Sequence, residues 1–134
     1  METKKNTRKI GNIGENIACK YLKRKDFEII ERNYLRKWGE LDIVARGTDQ
    51  KVHFIEVKAV SHETRADLKQ AVTRGTWRPE EQVHQFKLHQ IAKAIETWLA
   101  ENDYNGDWQL DIIAIRMVPR EKYATVKMIE NIVD

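Results

Sequence analysis

The sequence predicts a mixed fold, α/β or α+β, in which helices pack against one sheet in the order αβββαββ. Three observations predict it. Apolar residues recur at helical spacing in two stretches, from Ile10 to about Lys25 and from Pro79 to about Glu101. Five shorter segments, rich in β-branched and aromatic residues and bounded by charge or turn residues, lie between and after them. At 134 residues the chain has the length of one ordinary domain and can bury a core.

Residues 1–9 are polar and basic and are expected to fray as a flexible arm ahead of a single domain over 10–134. Ile10, Ile13, Ile17 and Tyr21, widened by Ala18 and Leu22, give the stripe of a first helix ending near Lys25. Gly14 inside it costs about 1 kcal/mol relative to alanine, which a close backbone approach would explain. Phe27 to Tyr34 reads as the first strand, Trp38 to Arg46 as the second and Val52 to Ala59 as the third. The turn residues Gly47-Thr48-Asp49-Gln50-Lys51 make the last two a hairpin.

Residues 61–78 read as a mobile loop with one helical turn around Leu68 to Val72. Pro79 suits the first position of a long helix, and Glu80 and Glu81 complement its N-terminal dipole. Leu88, Ile91, Ile95 and Trp98 carry that helix to about Glu101. Trp108 to Val118 is almost continuously apolar, as in a strand buried on both faces. Pro119 breaks it, and Tyr123 to Ile129 alternates as a last, more exposed strand.

Composition narrows the class. Twenty-four Lys+Arg against twenty-one Asp+Glu give a net charge of +3, which permits a nucleic-acid partner without demanding one. Cys19 is the only cysteine, so an internal disulfide and a cysteine-rich zinc site are excluded. A lone thiol on a helix is expected in the core, in a reducing compartment. No secretory signal follows the basic start, and no stretch approaches the roughly 20 apolar residues of a membrane span. The expectation is a soluble cytoplasmic protein with no membrane partner.

The hairpin carries the strongest chemical signal. With the turn centred on Asp49, Asp42 falls opposite Glu56 and Glu40 opposite Lys58, all on one face. The other face holds Leu41, Ile43, Ala45, Ile55, Val57 and Ala59, with His53 its only polar residue, and is expected to be the core side. Like charges directly opposite on a sheet repel. A hard divalent cation such as Mg²⁺ accounts for them, because it takes carboxylate oxygens and also binds phosphate. Lys58 would then orient water or stabilise charge on the phosphate. The other reading is a solvated strand face on which Lys58 pairs with Glu40 or Glu56. Glu15 completes the acidic set if the first helix packs beside the hairpin.

The same residues match a known pattern. Asp42 followed by Glu56-Val57-Lys58 looks like the PD-(D/E)XK nuclease signature, with Leu41 in place of its proline. Gly11, Gly14-Glu15, Ala18 and Tyr21-Leu22 resemble the opening of the YraN-type, endonuclease-like family of small bacterial proteins. Asn33, Gly39-Glu40-Leu41-Asp42-Ile43-Val44-Ala45, Phe54-Ile55-Glu56-Val57-Lys58, the helix positions Val83, Lys87 and Ile91, and Leu110-Asp111-Ile112-Ile113 continue the likeness. The resemblance implies a restriction-endonuclease-like mixed sheet, similar to archaeal Holliday junction resolvases. It implies that Glu15, Asp42 and Glu56, helped by the Val57 carbonyl, hold Mg²⁺ or Mn²⁺, and that Lys58 is the catalytic lysine. The implied activity is hydrolysis of phosphodiester bonds in DNA, including branched or junction DNA. The alternatives are a nucleic-acid-binding module with weak turnover and an interaction domain in DNA repair. A homodimer is expected if two strands are cut symmetrically.

Other residues have two readings each. Lys87 is a phosphate contact beside the site or an exposed helix lysine. Gln82 resembles a glutamine near the metal of related nucleases, or is a surface residue. Arg74, Trp77 and Arg78 either stack on bases and hold phosphates or form a loop capped by one packed tryptophan. Lys4, Lys5, Arg8 and Lys9 either track a nucleic-acid backbone or only solubilise. Asp111 lies in an apolar strand, where a lone carboxylate is costly, so a structural bond is expected for it. His53, His62, His84 and His89 show no ligand spacing and are assigned to no metal.

Overall fold

A computed structural model describes residues 4–75 and 85–132, with side chains over 8–75 and 87–132. The described helices are α1 (Lys4–Arg24), α2 (Arg65–Arg74) and α3 (Gln85–Glu101). The strands are β1 (Glu28–Arg36), β2 (Gly39–Arg46), β3 (Val52–Ser61), β4 (Trp108–Val118) and β5 (Tyr123–Ile129). They form one five-stranded sheet in the order β1-β2-β3-β4-β5. The β3–β4 pair is parallel and the other pairs are antiparallel. The mixed α/β architecture and the order of its principal elements agree with the sequence reading.

Helices cover both faces of this sheet. On one side Ala18, Cys19 and Leu22 of α1 pack with Ile43, Ala45, Ile55, Ile113 and Ile115. On the other, Ile91, Ala94, Ile95 and Trp98 of α3 pack with Val44, Val52, Phe54, Leu110 and Ile112. The single core-side face expected for the hairpin is therefore corrected. The face bearing Asp42 and Glu56 continues beneath α3 into a second core, because Val44 and Phe54 are as apolar as their neighbours.

Two segments also differ from expectation. The arm expected over 1–9 is helical from Lys4, since Lys4–Lys9 contains no helix breaker and simply extends the turn that Ile10 and Ile13 anchor. The loop expected over 61–78 holds the ten-residue helix α2. Thr64 caps it by accepting from the Asp67 N–H at 3.1 Å. Gly75 closes it with φ +63° and a backbone N–H bonded to Ala71 and Val72. The expected helix start at Pro79, Glu80 and Glu81 lies outside the described residues.

Gly14 is where α1 meets β3. A Cβ there would lie 2.8 Å from the Ala59 Cβ, so the glycine lets the helix seat against the strand. Glu15, the next residue, lines a cleft with Asp42, Glu56 and Val57.

Candidate active site

The register assumed for the hairpin holds through Arg46↔Val52, Ala45↔His53, Val44↔Phe54 and Ile43↔Ile55. Beyond it the backbone ladder stops, so Asp42–Glu56 and Glu40–Lys58 are not strand pairs. Asp42 Oδ2 instead accepts the Val57 N–H at 2.8 Å. The carboxylate takes the place of a ladder carbonyl where β2 and β3 separate. On its other side the β1–β2 ladder steps from Arg32↔Ile43 to Tyr34↔Leu41, skipping Asn33 and Asp42. Asn33 has φ +53°, a left-handed conformation that asparagine tolerates better than most residues. Past this irregularity Leu41 and Tyr34 join the α3-side core, not the face of Ile43.

Asp42 and Glu56 therefore stand together at the mouth of an opening between two strands. They line two clefts, of about 530 Å³ toward α1 and about 360 Å³ toward the β1–β2 turn. Glu15, Val57 and Lys58 line the first, and Lys87 lines both. Glu56 is buried, and two ammonium groups converge on its Oε1, Lys87 Nζ at 2.7 Å and Lys58 Nζ at 3.3 Å. Glu15 is held from β1 by Arg32 Nη2 at 3.7 Å and by the Asn33 amide nitrogen, which donates at 2.9 Å once the amide is turned to face it.

The electrostatics follow from this crowding. Burial first, then the charge of Glu56, push the Asp42 carboxyl up to about 8. The Val57 N–H opposes them, while Glu15 and Glu40 add to them. Burial also raises Glu15, with Arg32 opposing. Burial and then the neighbouring Lys87 lower Lys58, against the pull of Glu56. Burial works against the charge on Lys87, but hydrogen bonding to Glu56 and the charges of Glu56 and Asp42 raise it above an ordinary lysine.

The donors near this place are oxygens, from the Asp42, Glu56 and Glu15 carboxylates and the Val57 backbone, although the three carboxylates do not bring their oxygens within 4.8 Å of one another. Such a set fits hard cations, Mg²⁺ or Mn²⁺, and does not fit thiophilic metals. Two ammonium groups drawn onto one carboxylate show that the cluster attracts positive charge.

Of the expected nucleic-acid contacts, Lys87 is thus drawn into the acidic centre. Arg74 ends α2 and lines a separate shallow depression with Lys69, Gln70 and Thr73. Trp77, Arg78, Gln82 and His84 lie outside the described residues. Sequence reasoning did not single out Arg32 or Asn33 as partners of Glu15. The signal available for Asn33 was an asparagine inside a run of strand formers.

A second polar cluster lies toward the β2–β3 turn. His53 Nδ1 is 2.6 Å from Asp111 Oδ2, and His53 Nε2 is 3.1 Å from Asp49 Oδ2. Asp111 Oδ1 also accepts from Gln109 Nε2 and the Asn131 N–H, each at 2.8 Å. This buried network gives Asp111 the structural bonds expected of it. His53, Asp111 and Glu130 are, among the described residues, the group of three whose ligand atoms lie within 4.8 Å of one another. Two of the three are already bonded to each other.

The fold and site describe a small mixed α/β protein with an acidic, lysine-flanked cleft at a splayed hairpin. The chain belongs to the uncharacterised protein family UPF0102, which residues 14–115 match. It is 37% identical over 119 residues to a UPF0102 protein of Campylobacter lari, covering 89% of this chain and 88% of that one. A UPF0102 protein of Campylobacter concisus is 34% identical over 122 residues, covering 91% of each chain. One from Campylobacter fetus is 35% identical over 119 residues, covering 89% and 88%. Among the described residues no helix is long and apolar enough to cross a membrane.

Proposed function

We propose that this chain is a metal-dependent nuclease of the PD-(D/E)XK type that hydrolyses phosphodiester bonds in DNA, with branched or junction DNA as its preferred substrate. The observation that carries the reading is the half-buried Asp42 beside the buried Glu56 where the hairpin opens, with Lys58 Nζ 3.3 Å from Glu56. Folding gains nothing from placing two carboxylates side by side, and burial first, then the charge of Glu56, pushes the Asp42 carboxyl up to about 8.

Asp42 and Glu56 would hold Mg²⁺ or Mn²⁺, with Glu15 and the Val57 carbonyl completing the donors. When bound, the metal supplies Lewis-acid chemistry, acidifying water and offsetting phosphate charge. The Val57 N–H fixes the Asp42 carboxylate in orientation. Lys58, one residue after the carbonyl and 3.3 Å from Glu56, is placed to donate to a phosphate oxygen or to water as charge builds. Lys87 neutralises Glu56 in the metal-free state and, once displaced, becomes a cation available to phosphate. A junction with two equivalent strands calls for a homodimer, and buried Cys19 suits a reducing cytoplasm.

The test is cleavage of labelled junction, flap, duplex and single-stranded DNA with Mg²⁺ or Mn²⁺, by wild type and Glu56→Ala. Metal-dependent cleavage by wild type alone supports the reading. Salt-sensitive DNA binding with no cleavage on any substrate replaces it with a binding module, and neither activity removes nucleic acid as the partner.

A further inference from the structure

The β1–β2 turn forms a wall of the smaller cleft, and nothing in the metal site requires its chemistry. Leu35 is 66% exposed and Trp38 is 41% exposed, two large apolar side chains close together on one turn. Lys37 between them is exposed. The turn is nevertheless tied down along α3. Arg36 Nη2 meets Glu101 Oε1 at 2.7 Å while its guanidinium lies 4.0 Å from the Tyr34 ring centroid. Trp38 Nε1 donates to Thr97 Oγ1 at 3.1 Å. Gly39 is pressed so close that a Cβ would come within 2.6 Å of the Gln90 carbonyl oxygen. These ties hold an exposed indole on a cavity whose other end is Asp42, Glu56 and Lys87, with Lys37 on the same wall.

Resting on the nuclease reading, we infer that Trp38 and Lys37 form the subsite for an unpaired nucleotide next to the scissile phosphate. A flat apolar ring at fixed orientation suits base stacking, which tolerates any sequence because every base has a π face. A neighbouring cation suits the phosphate of the same nucleotide. The cavity runs directly from this platform to the carboxylates, so a strand lying on it delivers its backbone to the metal site. An intact duplex does not present a free base face, so the platform selects DNA with unpaired nucleotides, as at flaps, gaps and opened junctions.

Fluorescence anisotropy on single-stranded, flap and blunt duplex DNA tests this, using wild type, Trp38→Ala, Trp38→Phe and Lys37→Gln without divalent metal. Trp38→Ala should weaken single-strand and flap binding by about tenfold or more and leave blunt duplex binding unchanged. Trp38→Phe keeps a ring and should recover most of the affinity, although it loses the bond to Thr97. Lys37→Gln, at an exposed position that folding does not need, should lower the dependence of single-strand affinity on salt by about one phosphate contact. If Trp38→Ala unfolds, the last two variants decide alone. The inference is overturned by unchanged single-strand affinity in Trp38→Ala, by equal losses on blunt duplex, or by wild type that binds no DNA. Trp38-dependent binding without cleavage would sink the nuclease reading and leave the subsite standing. Cleavage of flaps at wild-type efficiency by Trp38→Ala would do the reverse.

Discussion

Lys87 Nζ lies 2.7 Å from Glu56 Oε1, closer than Lys58 Nζ at 3.3 Å on the same oxygen. The ammonium reaches Glu56 from α3, across the edge of the core, and occupies a direction from which a cation would be bound. Any metal arriving at Asp42 and Glu56 must compete with it.

Lys87→Met should therefore tighten Mg²⁺ and Mn²⁺ binding. Lys87 is partly exposed, so the pair is screened and the gain should be near that of a surface ion pair, up to about 1 kcal/mol or roughly fivefold in Kd. Calorimetric titration of both proteins reads it. Weaker binding in Lys87→Met would show that the lysine organises the site instead of competing for it.

A carboxyl raised to about 8 when folded and ordinary when unfolded makes stability depend on pH. Between about pH 4 and 8 the folded state holds a proton that the unfolded chain has released, so stability falls as pH rises, by at most about 1.4 kcal/mol per unit. His53, raised by Asp111 and Asp49 against the effect of burial, adds a fall in the same direction as pH passes its folded value. Asp42→Asn isolates the first contribution. Its stability relative to wild type should increase from pH 5 to 8 in urea melts, and saturating Mg²⁺ should reduce the wild-type slope. Parallel pH profiles would contradict the placement of Asp42.

Lys58→Ala and Glu56→Ala should fail differently. Removing Lys58 takes a cation from beside the carboxylates, so metal affinity should hold or rise. Single-turnover cleavage should fall by about two to three decades, the size of one lost charge-assisted contact in the transition state. Glu56→Ala should lose metal affinity and cleavage together. Wild-type cleavage by Lys58→Ala would overturn the mechanism.

Two glycines of α1 should respond in opposite ways to alanine. At Gly14 the new Cβ meets Ala59 at 2.8 Å, and overpacking there should cost about 1–3 kcal/mol. At Gly11 nothing lies within 4 Å of the added carbon, and helix propensity alone should stabilise by about 0.5–1 kcal/mol. Urea unfolding of the two variants reads both signs.

Asp111→Ala should be the most destabilising single change outside the apolar core. It removes the carboxylate from the His53 ring and from the Asn131 N–H at once, leaving buried polar groups without partners. A loss of about 3–5 kcal/mol is expected. A melting temperature within a few degrees of wild type would refute that accounting.

Much of this was legible in sequence, for identifiable reasons. The hairpin register followed from one turn and strict alternation, and four observed pairs obey it. Trp108–Val118 matched its strand because a buried parallel strand is apolar at nearly every position. The break at Asp42 was not legible. It depends on Asn33 adopting a left-handed backbone one strand away and on the Val57 N–H finding a side chain instead of a carbonyl. Of α2 only one turn around Leu68 to Val72 was read, although Thr64 with Asp67 and the closing Gly75 mark its ends, because its outward positions are polar and only Leu68 is buried. The α3-side core was missed by taking the charges of Asp42 and Glu56 as typical of a face that Val44 and Phe54 make apolar.

The parallel pairing of β3 with β4 sets an order of events during synthesis. The two hairpins β1–β2 and β2–β3 join neighbours in sequence and can close early. β3 gains its other partner only after α2 and α3 have emerged, because Val52 pairs with Trp108 and Ser61 with Met117. Until then the strand carrying Glu56 and Lys58 is an open, apolar edge on the nascent chain. Its slow, long-range closure is where this polypeptide is most exposed to misassembly with a neighbour, and where a ribosome-bound chaperone would have most to protect.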